Sequence, residues 1–360
     1  MHKEYPYAPI VEDPPVITGL AVISIAGFGI QVLADRWREF QRDQGLSNPF
    51  PLSVEVSDAM IAERLGKKGL RLLDKSTLLA LLTSQEALSD AKFDVNPIDP
   101  QRVAVCVGTA MGVPDSRWDF YRLALTEGIA AVNPATFPFT IGNSMASQIA
   151  LRFQLKGMNG SISAGCVSSL AALEWAILQL YTGRVDMALV TASEAVGPAP
   201  AWGWQNIPEL AAVPLADGAV SLVLERTSTA RARGCSGYAT IQDCSCGPDA
   251  LENASSNADA AIHGESARIY ANQAYWERLE KAEGAAVVRN VVDTTPVTGN
   301  TVSTSGFMQM ACAIIDACPI KATSISPAGN PANDALESRY VVCSCPTGYS
   351  GYSRLTFKGA

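Results

Sequence analysis

Apolar runs alternate with amphipathic segments along the first two thirds of the chain. Four apolar runs predict buried strands: 16–24 (VITGLAVIS), 102–112 (RVAVCVGTAMG), 185–195 (VDMALVTASEA) and 219–226 (AVSLVLER). Segments 74–91 and 168–183 place apolar residues at helical spacing and predict helices between these strands. Because apolar strands that alternate with helices form sheets covered on both faces, the pattern predicts an α/β fold.

The pattern changes after Arg226, where small and polar residues predict a junction between two halves. We place the boundary near residue 228, so that 1–228 form an N-terminal half and 229–360 a C-terminal half. The second half carries a predicted helix at 266–284, a strand at 285–293, a helix at 307–318 and a final hairpin at 338–359. It therefore reads as a shortened relation of the first half.

Composition narrows the possible functions. The chain has 360 residues, of which 48% are hydrophobic, and its formal net charge is −8, without a basic run. Nucleic acid and anionic membranes are therefore not expected as partners. Glycines interrupt the uncharged stretch 14–34, which favours a buried strand and a helix start over a membrane helix.

Histidine and cysteine usage argues against a metal site. The chain has 2 His and 9 Cys, and two pairs of cysteines, Cys244/Cys246 and Cys343/Cys345, follow the pattern Cys-Ser-Cys, which is not a zinc spacing. An odd number of cysteines without the pattern of a secretion signal predicts reduced thiols and a cytoplasmic location.

Cys166 lies where a predicted strand turns into the predicted helix 168–183. Free backbone N–H groups and the positive end of the helix dipole favour a thiolate at such a position. The residue is therefore a candidate nucleophile. A buried structural cysteine fits the same pattern, and the periodicity leaves both interpretations open.

Two acidic positions in the first half have structural interpretations. Glu194 ends an apolar run, which predicts a buried and hydrogen-bonded acid. Asp217-Gly218 predicts a tight turn before the next strand.

Several segments in a fixed order carry a resemblance to a known family. They are VITGLAVIS, RVAVCVGTAMG, 144–176 around Cys166, IHGES with His263, TGNTVSTSG with Asn300, and GYSGYS at 348–353. Together they resemble the β-ketoacyl synthases of the thiolase superfamily along nearly the full chain. The resemblance implies a thiolase-like five-layer αβαβα fold of two similar halves, the second of them shortened.

The resemblance also assigns expected roles. Cys166 matches the nucleophile that accepts the acyl chain, and His263 matches the histidine of the HGTGT motif. Asn300 stands where a second histidine is expected, and Thr295 stands where the family has a lysine. These positions are therefore expected to be a vestigial or an alternative Cys-His-Asn site.

The loop that gates the active site in the family matches Gly348, Tyr349, Ser350 and Gly351. Ser350 replaces a glycine of that loop, and Ser353 replaces the asparagine expected after it. The loops that normally cover the acyl and malonyl sites are also abridged. The departures accumulate around the expected site and weaken the expectation of an elongating enzyme.

The stretch Ala199–Trp204 (APAWGW) resembles chain length factors, the non-elongating KSβ subunits of type II polyketide synthases. The nucleophile of those subunits is usually replaced, whereas this chain keeps Cys166. The resemblance implies a heterodimer with an active ketosynthase α subunit, and an acyl carrier protein that delivers substrate on its phosphopantetheine arm. No bound cofactor is expected.

Chain length factors place bulky side chains across the acyl tunnel at the subunit interface. Five aromatic residues are candidates for this role: Trp118, Phe120, Tyr121, Phe137 and Phe139. Packing in the core of this chain is the alternative for each of them.

Three functions therefore remain open. The favoured one is a KSβ subunit that shapes the acyl tunnel. The second is an active β-ketoacyl synthase or acyltransferase that uses Cys166, His263 and Asn300. The third is a structural partner that stabilises a synthase without shaping its product.

Overall fold

A computed structural model describes residues 13–43, 52–93, 98–207, 215–248, 250, 268–271, 291–318, 320–321, 324–325, 337–344 and 349–357. The strands are β1 (Pro15–Ser24), β2 (Gly27–Phe28), β3 (Val103–Gly108), β4 (Asn159–Ile162), β5 (Met187–Glu194), β6 (Gly218–Arg226), β7 (Ala239–Gly247), β8 (Arg268–Ala271), β9 (Val291–Asp293), β10 (Ile320–Lys321), β11 (Ser324–Ile325), β12 (Glu337–Ser344) and β13 (Ser350–Phe357). The α-helices are α1 (Ile30–Asp43), α2 (Asp58–Leu65), α3 (Lys75–Asp90), α4 (Pro114–Thr126), α5 (Ser144–Phe153), α6 (Ser168–Tyr181), α7 (Pro198–Gln205), α8 (Thr227–Ala232), α9 (Thr295–Thr298) and α10 (Ser305–Ala317). Short 3₁₀ turns lie at Pro134–Phe139, Gly165–Val167 and Val302–Thr304.

The strands form two groups with the same topology. The main sheet runs β4-β3-β5-β6-β1-β7-β13-β12-β8-β9. In the first group β4, β3 and β5 are parallel and β6 is antiparallel to β5 and β1. In the second group β9, β8 and β12 are parallel and β13 is antiparallel to β12 and β7. Counted along the chain, each group has the order 3-2-4-5-1, which confirms the expectation of two similar halves.

The two groups meet where β1 pairs with β7, at Val16↔Thr240 and Ile17↔Ala239. The exact boundary at residue 228 stays a prediction, although it falls within α8, between the last strand of the first group and β7.

Helices α6 and α10 form the central layer. Helix α6 contacts β3 and β5 of the first group and β7 and β13 of the second, while α10 contacts β12 and β8. Their apolar side chains belong to the largest core cluster, which includes Leu170, Leu173, Phe307 and Ile314. On the other face of the first group, α3 and α5 cover β1, β3 and β5 with a second core cluster. The layers described in this way are helix, sheet, helix and sheet.

Helix α3 shows how the sequence builds these layers. Asp74 caps the helix by accepting a hydrogen bond from the backbone N–H of Ser76, at 3.1 Å. At Gly19 of β1, an added Cβ would lie 2.2 Å from the carbonyl oxygen of Ala87. A glycine at this position therefore lets α3 lie directly on β1.

Two expectations are settled by the fold. The stretch 14–34 forms β1, β2 and the start of α1, as predicted, and no helix in the described parts of the chain has the length and hydropathy of a membrane span. The helix predicted for 266–284 is wrong at its start, where Arg268–Ala271 pairs with β12 and β9 as strand β8. Burial in the middle of a parallel group outweighs local helical spacing there.

Gly108 generates a test of how α6 is positioned. An added Cβ would lie 2.4 Å from the carbonyl oxygen of Ser168 and 2.8 Å from the amide nitrogen of Ser169. Because both are backbone atoms of the first turn of α6, the whole helix would have to shift. We expect Gly108→Ala to lower the free energy of unfolding by about 1–3 kcal/mol, measured by urea denaturation.

The matched control is Gly160→Ala on the neighbouring strand β4. Its added Cβ would meet the Trp175 ring at 3.5 Å, an ordinary contact, so we expect little change in stability. Equal denaturation midpoints for the two variants would show that α6 does not depend on this close approach.

Candidate functional site

Cys166 lies at the head of α6, as its sequence position predicted. It sits in the 3₁₀ turn Gly165–Val167, which Gly165 enters in the left-handed region at φ 58°. The Ser168 hydroxyl closes this turn, because it accepts from the Ala164 N–H at 2.9 Å and donates to the Gly165 carbonyl at 2.6 Å. The Cys166 side chain is 4% exposed.

Asn300 lies two residues before a second turn, which the tertiary structure brings to Cys166. The turn Val302–Thr304 contacts the turn Gly165–Val167. Asn300 is buried, its carbonyl oxygen accepts from the Ala216 N–H at 2.8 Å, and its side-chain Oδ1 accepts from the Val302 N–H at 3.2 Å. The amide oxygen of Asn300 is thus committed to the backbone of its own turn.

Val302 adopts a strained backbone conformation in this turn. Its φ is 47°, in the left-handed region that a β-branched residue rarely occupies. Its side chain forms a buried cluster with Cys166 and Leu215, and Ala110, Val196 and Trp204 pack against that cluster. We call these residues the thiol cluster. Strain of this kind persists only where surrounding contacts hold it.

Glu194 joins the elements around the thiol cluster. Its Oε1 accepts from the Thr109 hydroxyl at 3.1 Å, from the N–H groups of Ala110 and Met111, and from the Ser303 hydroxyl. Burial raises the pKa of Glu194 to about 7, although these donors act in the opposite direction. The prediction of a buried, hydrogen-bonded acid is confirmed.

Asp217 is a second buried hub, and the turn predicted at Asp217-Gly218 is wrong. Gly218 is the first residue of β6, and the Asp217 carboxylate accepts from the Val54 N–H at 2.6 Å and from the Val196 N–H. Lys75 pairs with it at 2.6 Å. Sequence reasoning missed this role because the donors come from residues far away in the chain.

The described part of the expected gating loop lies against α6. Tyr349 is half exposed, whereas Ser350 and Gly351 are buried at the start of β13. An added Cβ at Gly351 would lie 3.3 Å from Leu170 Cδ1, one helical turn beyond Cys166. His263 and Gly348 lie outside the described residues.

The five candidate tunnel aromatics lie on a surface and not in the core. Trp118, Tyr121 and Phe137 are exposed, and Phe120 and Phe139 are partly buried. The Phe120 ring lies 5.8 Å from Tyr121 and 6.0 Å from Phe137, between ring centroids. Packing in the core of this chain is therefore the wrong interpretation for the three exposed residues.

Other apolar side chains extend this surface: Leu125, Ile129 and Trp202 are all exposed, Leu125 by 85%. Helix α7, which carries Trp202, is fixed to α4 by the Asp115 carboxylate, which accepts from the Ala199 N–H at 3.0 Å. We call the exposed faces of α4, α7 and 129–139 the aromatic surface. Helix α7 contains the motif Ala199–Trp204, so this motif is part of the aromatic surface.

Among the described residues, no group of three or more His, Cys, Asp or Glu side chains is arranged to hold a metal ion.

Comparison with known proteins identifies the family and the fold. A family model described as "Beta-ketoacyl synthase, N-terminal domain" matches residues 29–211, half of the chain. The putative polyketide beta-ketoacyl synthase 1 of Streptomyces cyaneus is 28% identical over 265 residues, 62% of this chain and 61% of that protein. The tetracenomycin polyketide synthase ketoacyl synthase alpha subunit of Streptomyces glaucescens is 26% identical over 270 residues, 64% of this chain and 62% of that protein. The chain thus matches under two thirds of the length of these relatives.

Two solved structures share the fold over nearly the full chain. "The ishigamide ketosynthase/chain length factor" has a TM-score of 0.77 at 24% identity, covering 96% of this chain and 100% of that one. The AntDE:AntF complex, a ketosynthase with a type II polyketide acyl carrier protein, has a TM-score of 0.74 at 18% identity, covering 96% and 100%. At these identities the likeness supports the fold alone, and it confirms the thiolase-like architecture. With the family model covering half of its length, the chain belongs to the β-ketoacyl synthase family.

Proposed function

We propose that this protein is a chain-length-factor-like KSβ subunit that pairs with an active ketosynthase and shapes the acyl tunnel of a type II polyketide synthase. The observation that carries this proposal is the closed, apolar surrounding of Cys166. Elongation needs a thiol that a phosphopantetheine-borne acyl group can reach, together with groups that polarise a thioester. Here Cys166 is 4% exposed and belongs to the buried thiol cluster.

The replacement of the second histidine supports the same conclusion. Asn300 Oδ1 accepts a hydrogen bond from the Val302 N–H, and an amide side chain does not gain or lose a charge near neutral pH, as a histidine does. An asparagine still offers donor hydrogens, so the change by itself does not remove activity. Together with Thr295 at the lysine position, it leaves the site poorly equipped for decarboxylation.

The aromatic surface supports a partner subunit. Exposed Trp, Tyr and Phe side chains are enriched in the buried centres of protein interfaces, and a contiguous patch of them is costly to leave in water. Strand β4, which ends the sheet order, offers a second element that another chain could cover. A ketosynthase/chain length factor pair is named among the solved structures of this fold.

The substrate would reach the heterodimer on an acyl carrier protein. A solved relative contains a type II polyketide acyl carrier protein, which supports a carrier protein with its phosphopantetheine arm as a second partner. No cofactor is required of this chain. We place the complex in the cytoplasm, because the cysteine usage favours reduced thiols.

One observation favours the alternative of an active synthase or acyltransferase. Cys166 keeps the position of a nucleophile at the start of a buried helix, where the helix dipole favours a thiolate. In that alternative Cys166, His263 and Asn300 would act together. The third possibility is a purely structural partner. A substitution in this chain that changes the length of the product would support the KSβ role over the structural one.

We expect the purified chain to self-associate weakly or aggregate, and to become monodisperse when co-expressed with a ketosynthase α subunit. The physical reason is the exposed aromatic surface, which the partner would cover. A charge within this surface, introduced by Leu125→Glu or Trp202→Glu, should therefore abolish co-purification with the ketosynthase α subunit. Val32→Glu on α1 serves as a control at an exposed apolar position away from the aromatic surface and from β4. Size-exclusion chromatography with light scattering measures the oligomeric state. A monodisperse, active homodimer would contradict the heterodimer proposal.

We expect Cys166→Ala to leave most of the polyketide output of the assembled complex intact, because Cys166 is buried and Asn300 replaces one of the two histidines that the family places beside it. Product is measured by liquid chromatography and mass spectrometry, with Cys235→Ala as the control for an unrelated cysteine. If output fell to background while assembly persisted, Cys166 would be a working nucleophile and the alternative would be correct.

We expect at least one aromatic-to-alanine change on the aromatic surface to lengthen the product by one or more two-carbon units. A growing chain needs a dry channel, since each buried CH₂ contributes roughly 0.8 kcal/mol, and a bulky side chain across that channel stops it. The variants to test are Trp118→Ala, Phe120→Ala, Tyr121→Ala, Phe137→Ala and Phe139→Ala.

The control for these variants is Tyr181→Ala, an exposed aromatic on α6 away from the aromatic surface. If all five variants assembled and gave the wild-type product length, this subunit would not determine chain length.

A further inference from the structure

Glu194 connects the walls of the thiol cluster through one atom. Its Oε1 accepts from the Ala110 N–H on one side and from the Ser303 hydroxyl on the other. Ala110 packs against the thiol cluster, and Val302, the neighbour of Ser303, is a member of it. Val196, two residues beyond Glu194, packs against the same cluster.

The wall that needs holding is the Val302 turn. Its backbone is in the left-handed region at φ 47°, which costs free energy for a β-branched residue. The contact between Asn300 Oδ1 and the Val302 N–H is internal to the turn and does not fix its distance from Cys166. The hydrogen bond from Ser303 to Glu194, in contrast, ties the turn to β5 and to the loop after β3.

We propose that Glu194 is a positioning residue that holds the Val302 turn against Cys166 and so keeps the thiol closed to acyl substrates. The proposal rests on the proposed function and deepens it, because a thiol closed in this way explains how a KSβ subunit can retain a cysteine without elongating a chain. It also names the contact whose loss should open the thiol.

The second carboxylate oxygen makes the proposal testable by a conservative change. Glu194 Oε2 is buried and has no hydrogen-bond partner among the described residues. A glutamine can therefore keep its oxygen at the Oε1 position, accept the same donors and place its NH₂ group where Oε2 lies. An alanine removes the acceptor altogether and leaves the Ser303 hydroxyl without it.

The experiment measures alkylation of individual cysteines in the full chain, in the assembly in which it purifies. Iodoacetamide is added for increasing times, and peptide mass spectrometry follows Cys166, Cys106 and Cys235. Cys106 is fully buried on β3 and reports global opening, whereas Cys235 is partly exposed and reports the reagent itself. The variants are Glu194→Ala, Glu194→Gln and Ser303→Ala.

Ser305→Ala is the matched control. Ser305 is buried just after the same turn, and its hydroxyl lies 3.3 Å from that of Thr301, away from Glu194. We expect Glu194→Ala and Ser303→Ala to raise the alkylation rate of Cys166 on the order of tenfold or more relative to Cys106. Glu194→Gln and Ser305→Ala should keep the wild-type rate.

The proposal is overturned if Cys166 in the wild type is alkylated as fast as Cys235, or if Glu194→Ala and Ser303→Ala leave its rate unchanged. It is equally overturned if Cys106 and Cys166 accelerate together, or if glutamine behaves like alanine. Should Glu194→Ala fail to fold, Ser303→Ala with its Ser305→Ala control decides alone. None of these rates depends on polyketide output, so failure here is distinguishable from failure of the proposed function.

Discussion

The backbone contact between the end of β3 and the start of α6 is the constraint on which this structure depends. Gly108 lies so close to Ser168 and Ser169 that no side chain fits between strand and helix. That contact fixes where α6 begins, and therefore where Cys166 lies. Helix α6 in turn contacts strands of both groups, so the position of its first turn also sets how the two halves approach each other.

Two buried carboxylates complete the region around the first turn of α6. Glu194 and Asp217 each gather donors from segments distant in the chain, and buried acids are tolerated only when such donors are present. Glu194 ties the loop after β3 to the Val302 turn, and Asp217 ties the segment at 52–54 to β6. Lys75 offsets the charge of Asp217. Glu194 accepts from hydroxyl and N–H donors, which lower its pKa, but burial has the larger effect and raises it.

The fold places the two groups of residues to which we assign a function, Cys166 and the aromatic surface, at separate locations. Inside, Cys166 is enclosed by apolar side chains next to a strained turn. Outside, α4 and α7 present aromatic side chains to the surroundings. The burial of Cys166 and the exposure of the aromatic surface are the two observations that support the proposed action through another subunit. The proposed KSβ role follows from this division, with the aromatic surface as the part that would meet the partner.

The sequence by itself determined the alternation of strands and helices in the first half, the position of Cys166 at the head of α6 and the burial of Glu194. These features follow from local periodicity and from the free N–H groups of a helix start, both of which are written in neighbouring residues. Motif order also indicated the family and the two-halved fold. Only the tertiary structure decided that residues 268–271 form a strand, that Asp217 accepts from distant donors and is not part of a turn, and that Val302 packs with Cys166 in the thiol cluster. Residues 268–271 form a strand because they pair in parallel with β12 and β9. Asp217 accepts from Val54 and Lys75, which lie more than a hundred residues away in the chain, and Val302 adopts a left-handed backbone conformation. These outcomes arise from contacts between distant segments, which local patterns along the chain do not encode.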